Sequence, residues 1–444
     1  MNFFEEYRSK LCTAKEAVQA VRSGDWIDYG SNNSFPVLLD AALAEEKNRL
    51  YDVKVRGNLI PGPIQIIEQD PEMEHFVYNT WHCGSYERRM CDAGRAFFIP
   101  MIFRNLDWYY RNFLTVDVAM LCVSPMDEEG YFSLGGACGA ACLQAKLAKT
   151  VILEVNGAMP RINGGPDVKI HVSEADYIVE AGRRELWEMK MPEPGETDVR
   201  IAEHIFPYIQ NGATVQLGIG GMPNALGKLI ASSDLKDIGM HTELCSDGYL
   251  DIFKAGKLTN RKKSILPGKS VMGLCLGSRE LYDWVDGNPD IVGKPISYVN
   301  DPAVISQIEN MISINGCIAA DLYGQVSSES AGTRQISGTG GQLDFVTGAS
   351  SSKGGKSFLC MPSSRVDKNG VRHSNVLPHF SGDIITTPRS QAEYIVTEFG
   401  IVNLAGKSTW ERAELMISIA HPDFREELIR SAQQQRIWLN HHKK

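Results

Sequence analysis

A single acid, Glu243, is carried in the run from His241 to Cys245, a short way beyond a cluster of three glycines, Gly218, Gly220 and Gly221. A second cluster, Gly338, Gly340 and Gly341, comes later in the chain. A glycine loop that opens a helix aims backbone N–H groups and the positive end of the helix dipole at one point. A carboxylate is ionised at neutral pH and attacks as a nucleophile without a general base. It is weak toward esters and amides. It is adequate toward a thioester, whose leaving group is a thiolate, and glycine-loop N–H groups can hold the oxyanion. On spacing alone other readings of Glu243 stay open: an exposed acid at a strand end, a cap to the following turn, or a ribose-binding acid in a nucleotide-binding module.

The elements that must position these residues are legible around them. Thr214 to Leu217 is a short β-branched strand, and Pro223 stands where a first-turn proline belongs. Ala225, Leu226, Leu229 and Ile230 repeat at helical spacing, and His241 to Cys245 makes the next strand. The second loop, Gly338-Thr-Gly340-Gly341, also runs into a helix, followed by a strand over Phe358 to Met361. The same order appears near the start. A capping box at Thr13 and Glu16 opens a helix through Val21; strands follow at Trp26 to Tyr29 and Asp52 to Arg56, with the helix PVLLDAALAEE between them. Gly24 and Gly30 match Gly212 and Gly218, and Asp127-Glu-Glu-Gly130 echoes Asp321-Leu-Tyr-Gly324. We therefore expect an α/β protein of two similar open domains with largely parallel sheets, related by internal duplication. Met191 to Thr197, dense in Pro, Gly and acid, reads as the linker and divides the chain into residues 1–195 and 196–444. The first half is expected to carry Val55 and Arg56 where the second has Glu243, so the chemistry is assigned to the second half. Residues 76–113, rich in aromatics and arginine, read as helix and loop packed on the sheet. The basic run Lys254, Lys257, Arg261, Lys262, Lys263 and Lys269 reads as a solvated loop. Two helices end the chain, the first capped by Ser408 and Glu411.

Totals and failed motifs narrow the class. At 444 residues two domains are expected, and a formal charge of -9 argues against a general nucleic-acid binder. No apolar run is long enough to span a bilayer, and the N-terminus has no signal-peptide layout, so a cytoplasmic protein is expected. The ten cysteines form no C-x-x-C pair and no metal signature appears, so they read as reduced thiols and no metal site is expected. Pro223 occupies the third glycine of the dinucleotide fingerprint. Ser350 occupies the first glycine of a P-loop ending at Gly355-Lys356-Ser357, and no G-x-S-x-G elbow is present.

The stretches QLGIGGMPNALG, HTELCSDG, DLYGQVSSES, QISGTGGQLDF and SKGGKSFLCMPS, with STWERAELMISIAHPDFREEL and the opening SGDWIDYG, carry a resemblance over nearly the whole chain. They resemble the acetyl-CoA hydrolase/transferase family of class I CoA-transferases, nearest its butyryl-CoA:acetate and 4-hydroxybutyrate branches. The resemblance implies ping-pong transfer of CoA from a short-chain acyl-CoA to a carboxylic acid such as acetate. The nucleophile would be Glu243, in the HTE motif. CoA contacts would come from Gly220, Gly221, Met222, Pro223, Asn224, Gly338, Gly340, Gly341 and Lys356. The intermediate would be a glutamyl-CoA thioester. Thioester is traded for thioester, so no ATP, metal or permanently bound cofactor is required, and CoA is a substrate. A homo-oligomer with no nucleic-acid or membrane partner is expected. A 4-hydroxybutyrate acceptor, or hydrolysis on the same frame, is the alternative.

Overall fold

The computed structural model describes residues 2–439. The chain forms two compact units: residues up to Lys190 together with Val271–Val299, and Met191–Ser270 together with residues from Asn300 onward. The return of Val271–Val299 to the first unit is a feature that a linear boundary at residue 195 does not contain.

In the first unit the strands are β1 (Trp26–Tyr29), β2 (Val53–Gly57), β3 (Phe76–Thr80), β4 (Phe97–Phe98), β5 (Val118–Val123), β6 (Thr150–Val155) and β7 (Tyr177–Glu180). They line up as β4-β3-β2-β1-β5-β6-β7, every neighbouring pair parallel. Central strand β5, Val-Ala-Met-Leu-Cys-Val, is buried at every position, as a strand covered on both faces must be. Helix α1 (Val37–Glu45) connects β1 to β2. Residues 76–113 differ from the expected helix and loop. Phe76–Thr80 alternates buried and half-buried residues and pairs along its length with β2, because its period of two suits a sheet position.

The second unit repeats the plan. Its strands are β8 (Thr214–Leu217), β9 (Gly239–Cys245), β10 (Met311–Gly316), β11 (Lys356–Cys360), β12 (Tyr394–Thr397) and β13 (Gly400–Asn403), in the order β9-β8-β10-β11-β12-β13. Only β13, on the edge, is antiparallel. The order β2-β1-β5-β6-β7 of the first unit thus recurs as β9-β8-β10-β11-β12. The echo between Asp127 and Asp321 is a shared turn. In both, the carboxylate accepts from backbone N–H groups two and four residues on, at 2.8–3.0 Å, and a glycine with φ of 84° follows at the third place.

The shared register corrects one expectation. Trp26 pairs with Lys54 as Thr214 pairs with Gly239, so the first-unit counterpart of Glu243 is Asn58, and neither Val55 nor Arg56. Arg56 instead forms a buried ion pair with Asp28 at 2.6 Å. The basic run is also not wholly solvated. Lys263 is buried, and its Nζ donates to the carbonyls of Met240 (2.8 Å) and Lys269 (2.6 Å), pinning β9; burial pushes its pKa down to about 7. Lys257 likewise donates to the carbonyls of Ile230 and Ser233. No helix among the described residues is long and apolar enough to cross a membrane.

Candidate active site

In the second unit β8 has β9 on one side and β10 on the other, so the chain leaves it in opposite directions. In an open parallel sheet the crevice at the carboxyl ends of such strands is where ligands bind. Three features meet this description. Helix α2 (Gly221–Ser232) starts after β8, with Gly220 as its N-cap at φ 121°, a conformation that side chains rarely adopt. Glu243 lies three residues beyond Met240, which pairs with Val215 of β8. Helix α3 (Gln342–Ser351) begins at N-cap Gly341, next to Gly340 at φ 55°.

The carboxylate of Glu243 is held by two donors. The Asn300 Nδ2 group donates to Oε2 at 2.7 Å, and the Gly341 backbone N–H donates to the same carboxylate. That N–H belongs to the positive end of α3. Asn300 is fully buried and is oriented in turn by the buried Asp344 in the first turn of α3, 3.3 Å from Nδ2. Burial outweighs both donors and pushes the Glu243 carboxyl from 4.5 up to about 7. Composition had suggested a carboxylate fully ionised at neutral pH; enclosure by the fold raises it into the neutral range. A Cβ at Gly341 would fall on Glu243 Oε2 and Asn300 Nδ2, so this glycine is required for close approach.

A buried brace sets the second loop. The Glu329 carbonyl accepts from the N–H groups of Ile336 (2.8 Å) and Ser337 (3.2 Å). Its carboxylate accepts from the hydroxyls of Thr339 (3.0 Å) and Thr386 (3.1 Å). The Thr339 bond ties the turn that delivers Gly340 and Gly341, and the Thr386 bond anchors the same carboxylate to a second segment.

The residues singled out from sequence fall into three groups. Glu243, Gly338, Gly340 and Gly341 belong to one neighbourhood, with Gly220 and Gly221 at the adjacent helix start. Met222, Pro223 and Asn224 are buried in the first turn of α2, and Asn224 Nδ2 donates to the Pro192 carbonyl at 3.1 Å. These three build the turn. Lys356 is not brought to the carboxylate. It opens β11, level with Ile312 of β10 and so with Val215 and Met240. That is about 10 Å short of Glu243 along the strands and three strand spacings, roughly 14 Å, across them. Sequence reading passed over Asn300 and Asp344. Asp344 sits inside the quoted stretch QISGTGGQLDF; Asn300, in Tyr-Val-Asn-Asp, has no local signal.

Residues 1–185 match the model of the acetyl-CoA hydrolase/transferase N-terminal domain, and residues 277–432 that of the C-terminal domain. Over the whole length of both chains the sequence is 46% identical to the butyryl-CoA:acetate CoA-transferase of Anaerostipes caccae. It is 44% identical to a probable butyrate:acetyl-CoA coenzyme A-transferase of Syntrophomonas wolfei, over 99% of this chain and 98% of that one. Among solved structures it is similar to RipA from Yersinia pestis, with a TM-score of 0.91 and 35% identity, covering 98% of this chain and 100% of that one. The duplicated open α/β fold is thus that of the CoA-transferases. The chain belongs to the acetyl-CoA hydrolase/transferase family and is an enzyme that transfers CoA.

Proposed function

We propose that the protein moves CoA from a short-chain acyl-CoA, butyryl-CoA, to acetate, by ping-pong exchange through a glutamyl-CoA thioester on Glu243. The observation that carries this reading is the clamp on one carboxylate by Asn300 Nδ2 and the Gly341 N–H. In the first step a carboxylate oxygen of Glu243 attacks the thioester carbonyl, the C–S bond breaks, and a mixed anhydride and CoA thiolate form. The thiolate then attacks the Glu243 carbonyl, giving the glutamyl thioester and releasing butyrate. Acetate repeats both steps in reverse. Negative charge passes from the carboxylate to carbonyl oxygen at each addition, and donors already aimed at this point need no reorganisation to receive it. The choice of butyryl and acetate groups is supported by the 46% likeness to a transferase of that name.

Incubation with butyryl-CoA and no acceptor acid tests the reading. The thiolate released beside the anhydride is still tethered by the rest of CoA, and its high effective concentration favours capture over water. Intact mass should rise by one CoA, with the adduct mapping to HTELCSDG, resistant to a phosphine and cleaved by hydroxylamine. Cys245, two residues away and fully buried, is the control thiol. A phosphine-labile adduct on Cys245, or turnover with no adduct, overturns Glu243 as the carrier. An acceptor panel separates acetate from 4-hydroxybutyrate, and release of free CoA without any acceptor would mark a hydrolase.

A further inference from the structure

Cys83 and Cys91 belong to the first unit, and the exchange steps above use neither. Cys83 precedes Gly84, the N-cap of the helix Ser85–Asp92, and Cys91 stands in the last turn of that helix. Both are free thiols, and their sulfurs share a hydrogen bond at 3.9 Å. A disulfide bond is about 2.05 Å long, so the sulfurs have roughly 1.9 Å to close. Cys83 is buried and Cys91 is half-buried. The hydrogen bond from Cys83 holds the Cys91 thiol below its ordinary value, against burial and the nearby carboxylates of Glu87 and Asp92. The same bond pushes Cys83 up, and burial adds to it. Two other half-buried cysteines differ: burial pushes Cys12 up, and Cys317 up to about 12. A low thiol touching a second thiol suits oxidation, because the thiolate attacks and its neighbour resolves the product.

The chain around Cys83 is tied to the turn that follows β2. The His82 carbonyl accepts from the Leu59 N–H at 3.0 Å. The buried Glu87, in the first turn of the helix, accepts from the N–H groups of Gly84 (2.8 Å) and Ile60 (3.1 Å) and from the Tyr78 hydroxyl (2.8 Å). Leu59 and Ile60 follow Asn58, the counterpart of Glu243. Leu59 holds a φ of 51°, which a leucine keeps only where its surroundings impose it. Drawing Cys83 toward Cys91 moves His82 and Gly84, the two residues that hold this turn. We propose that Cys83 and Cys91 are a modification site for hydroperoxides, and that the disulfide formed there loosens the turn at Leu59 and Ile60. In the first step the Cys91 thiolate attacks one peroxide oxygen, the O–O bond breaks, and a sulfenic acid forms with release of alkoxide, or of hydroxide from hydrogen peroxide. In the second, Cys83 sulfur attacks the sulfenic sulfur, the S–O bond breaks, and hydroxide leaves. The two thiol protons end on the two departing oxygens. Each sulfur gives up one electron, and the peroxide takes both. Glu243 takes part in neither step, so the site stands independently of the CoA-transfer reading.

Hydrogen peroxide is the probe, applied to the full chain after reduction and removal of the reductant, beside Cys83→Ser and Cys91→Ser. Wild type should lose the mass of two hydrogen atoms. Cleavage after Arg88 and Arg89 should yield two peptides joined through Cys83 and Cys91, which a thiol reductant separates. Cys83→Ser should stop at the sulfenic acid, with dimedone trapped on Cys91, and Cys91→Ser should take no dimedone at Cys83. Amide hydrogen exchange at Leu59 and Ile60 should quicken on the order of tenfold in oxidised wild type, about one hydrogen bond's protection, and return on reduction. In Cys91→Ser, peroxide should leave that exchange unchanged. The wild-type measurements stand whether or not either variant folds. No Cys83–Cys91 link in wild type, dimedone on Cys317 ahead of Cys91, or a link that leaves exchange at Leu59 and Ile60 as it was would overturn the proposal.

Discussion

Replacing Glu243 by Gln should stabilise the protein, and the gain should depend on pH in a defined way. The folded carboxyl holds its proton up to about pH 7, whereas its ordinary value is 4.5. Below about pH 4.5 both folded and unfolded states carry the proton, and ionisation costs the fold nothing. Between 4.5 and 7 the folded state binds more protons than the unfolded, so stability falls as pH rises. Above about pH 7 the loss is complete. At about 1.4 kcal/mol per pH unit, the displacement amounts to roughly 3 kcal/mol, a ceiling because Glu243 keeps partial solvent contact. The amide oxygen of Gln can still accept from Asn300 Nδ2 and the Gly341 N–H, so the clamp survives without the charge. Two other buried acids, Asp40 and Glu87, are also pushed up to about 7, but they are present in both proteins and cancel in the difference. The assay is thermal unfolding of variant and wild type from pH 5 to 8.5. The variant's advantage should be small at pH 5, grow to a few degrees by pH 7.5, and then level off. A pH-independent difference, or a less stable variant at pH 8, would refute the reasoning that the site holds Glu243 against its own ionisation.

Four further outcomes follow from the same geometry. Glu243→Gln should abolish transfer, because an amide is a poor nucleophile, and residual activity above a few per cent would exclude Glu243 as carrier. Asn300→Ala should lower kcat on the order of a hundredfold or more through loss of one charge-stabilising donor, measured in steady state with butyryl-CoA and acetate. Gly341→Val should cost at least as much, since its side chain would displace both Glu243 Oε2 and Asn300 Nδ2, with circular dichroism showing a retained fold. The kcat/KM for butyryl-CoA should rise with pH to a plateau above about 7, following ionisation of the free carboxyl; a limb near 4.5 would contradict the burial argument.

What the sequence determined by itself is local. The strand, glycine loop and helix around Gly218 to Ile230, the capping boxes at Thr13 and Ser408, and the paired turns at Asp127 and Asp321 all appear where residue type and spacing put them. Each is decided within a few residues by φ/ψ preference, capping and hydrophobic period, so one segment of chain carries the whole signal. The tertiary structure decided what depends on register and enclosure. It made Asn58 the counterpart of Glu243, since parallel pairing sets which residues stand level. It left Lys356 at the amino end of its strand, away from the glycines that precede it in sequence. It carried Asn300 across 57 positions to Glu243, a juxtaposition with no local trace. It also raised the carboxyl to about 7, because desolvation is a property of everything packed around a group and of no single residue.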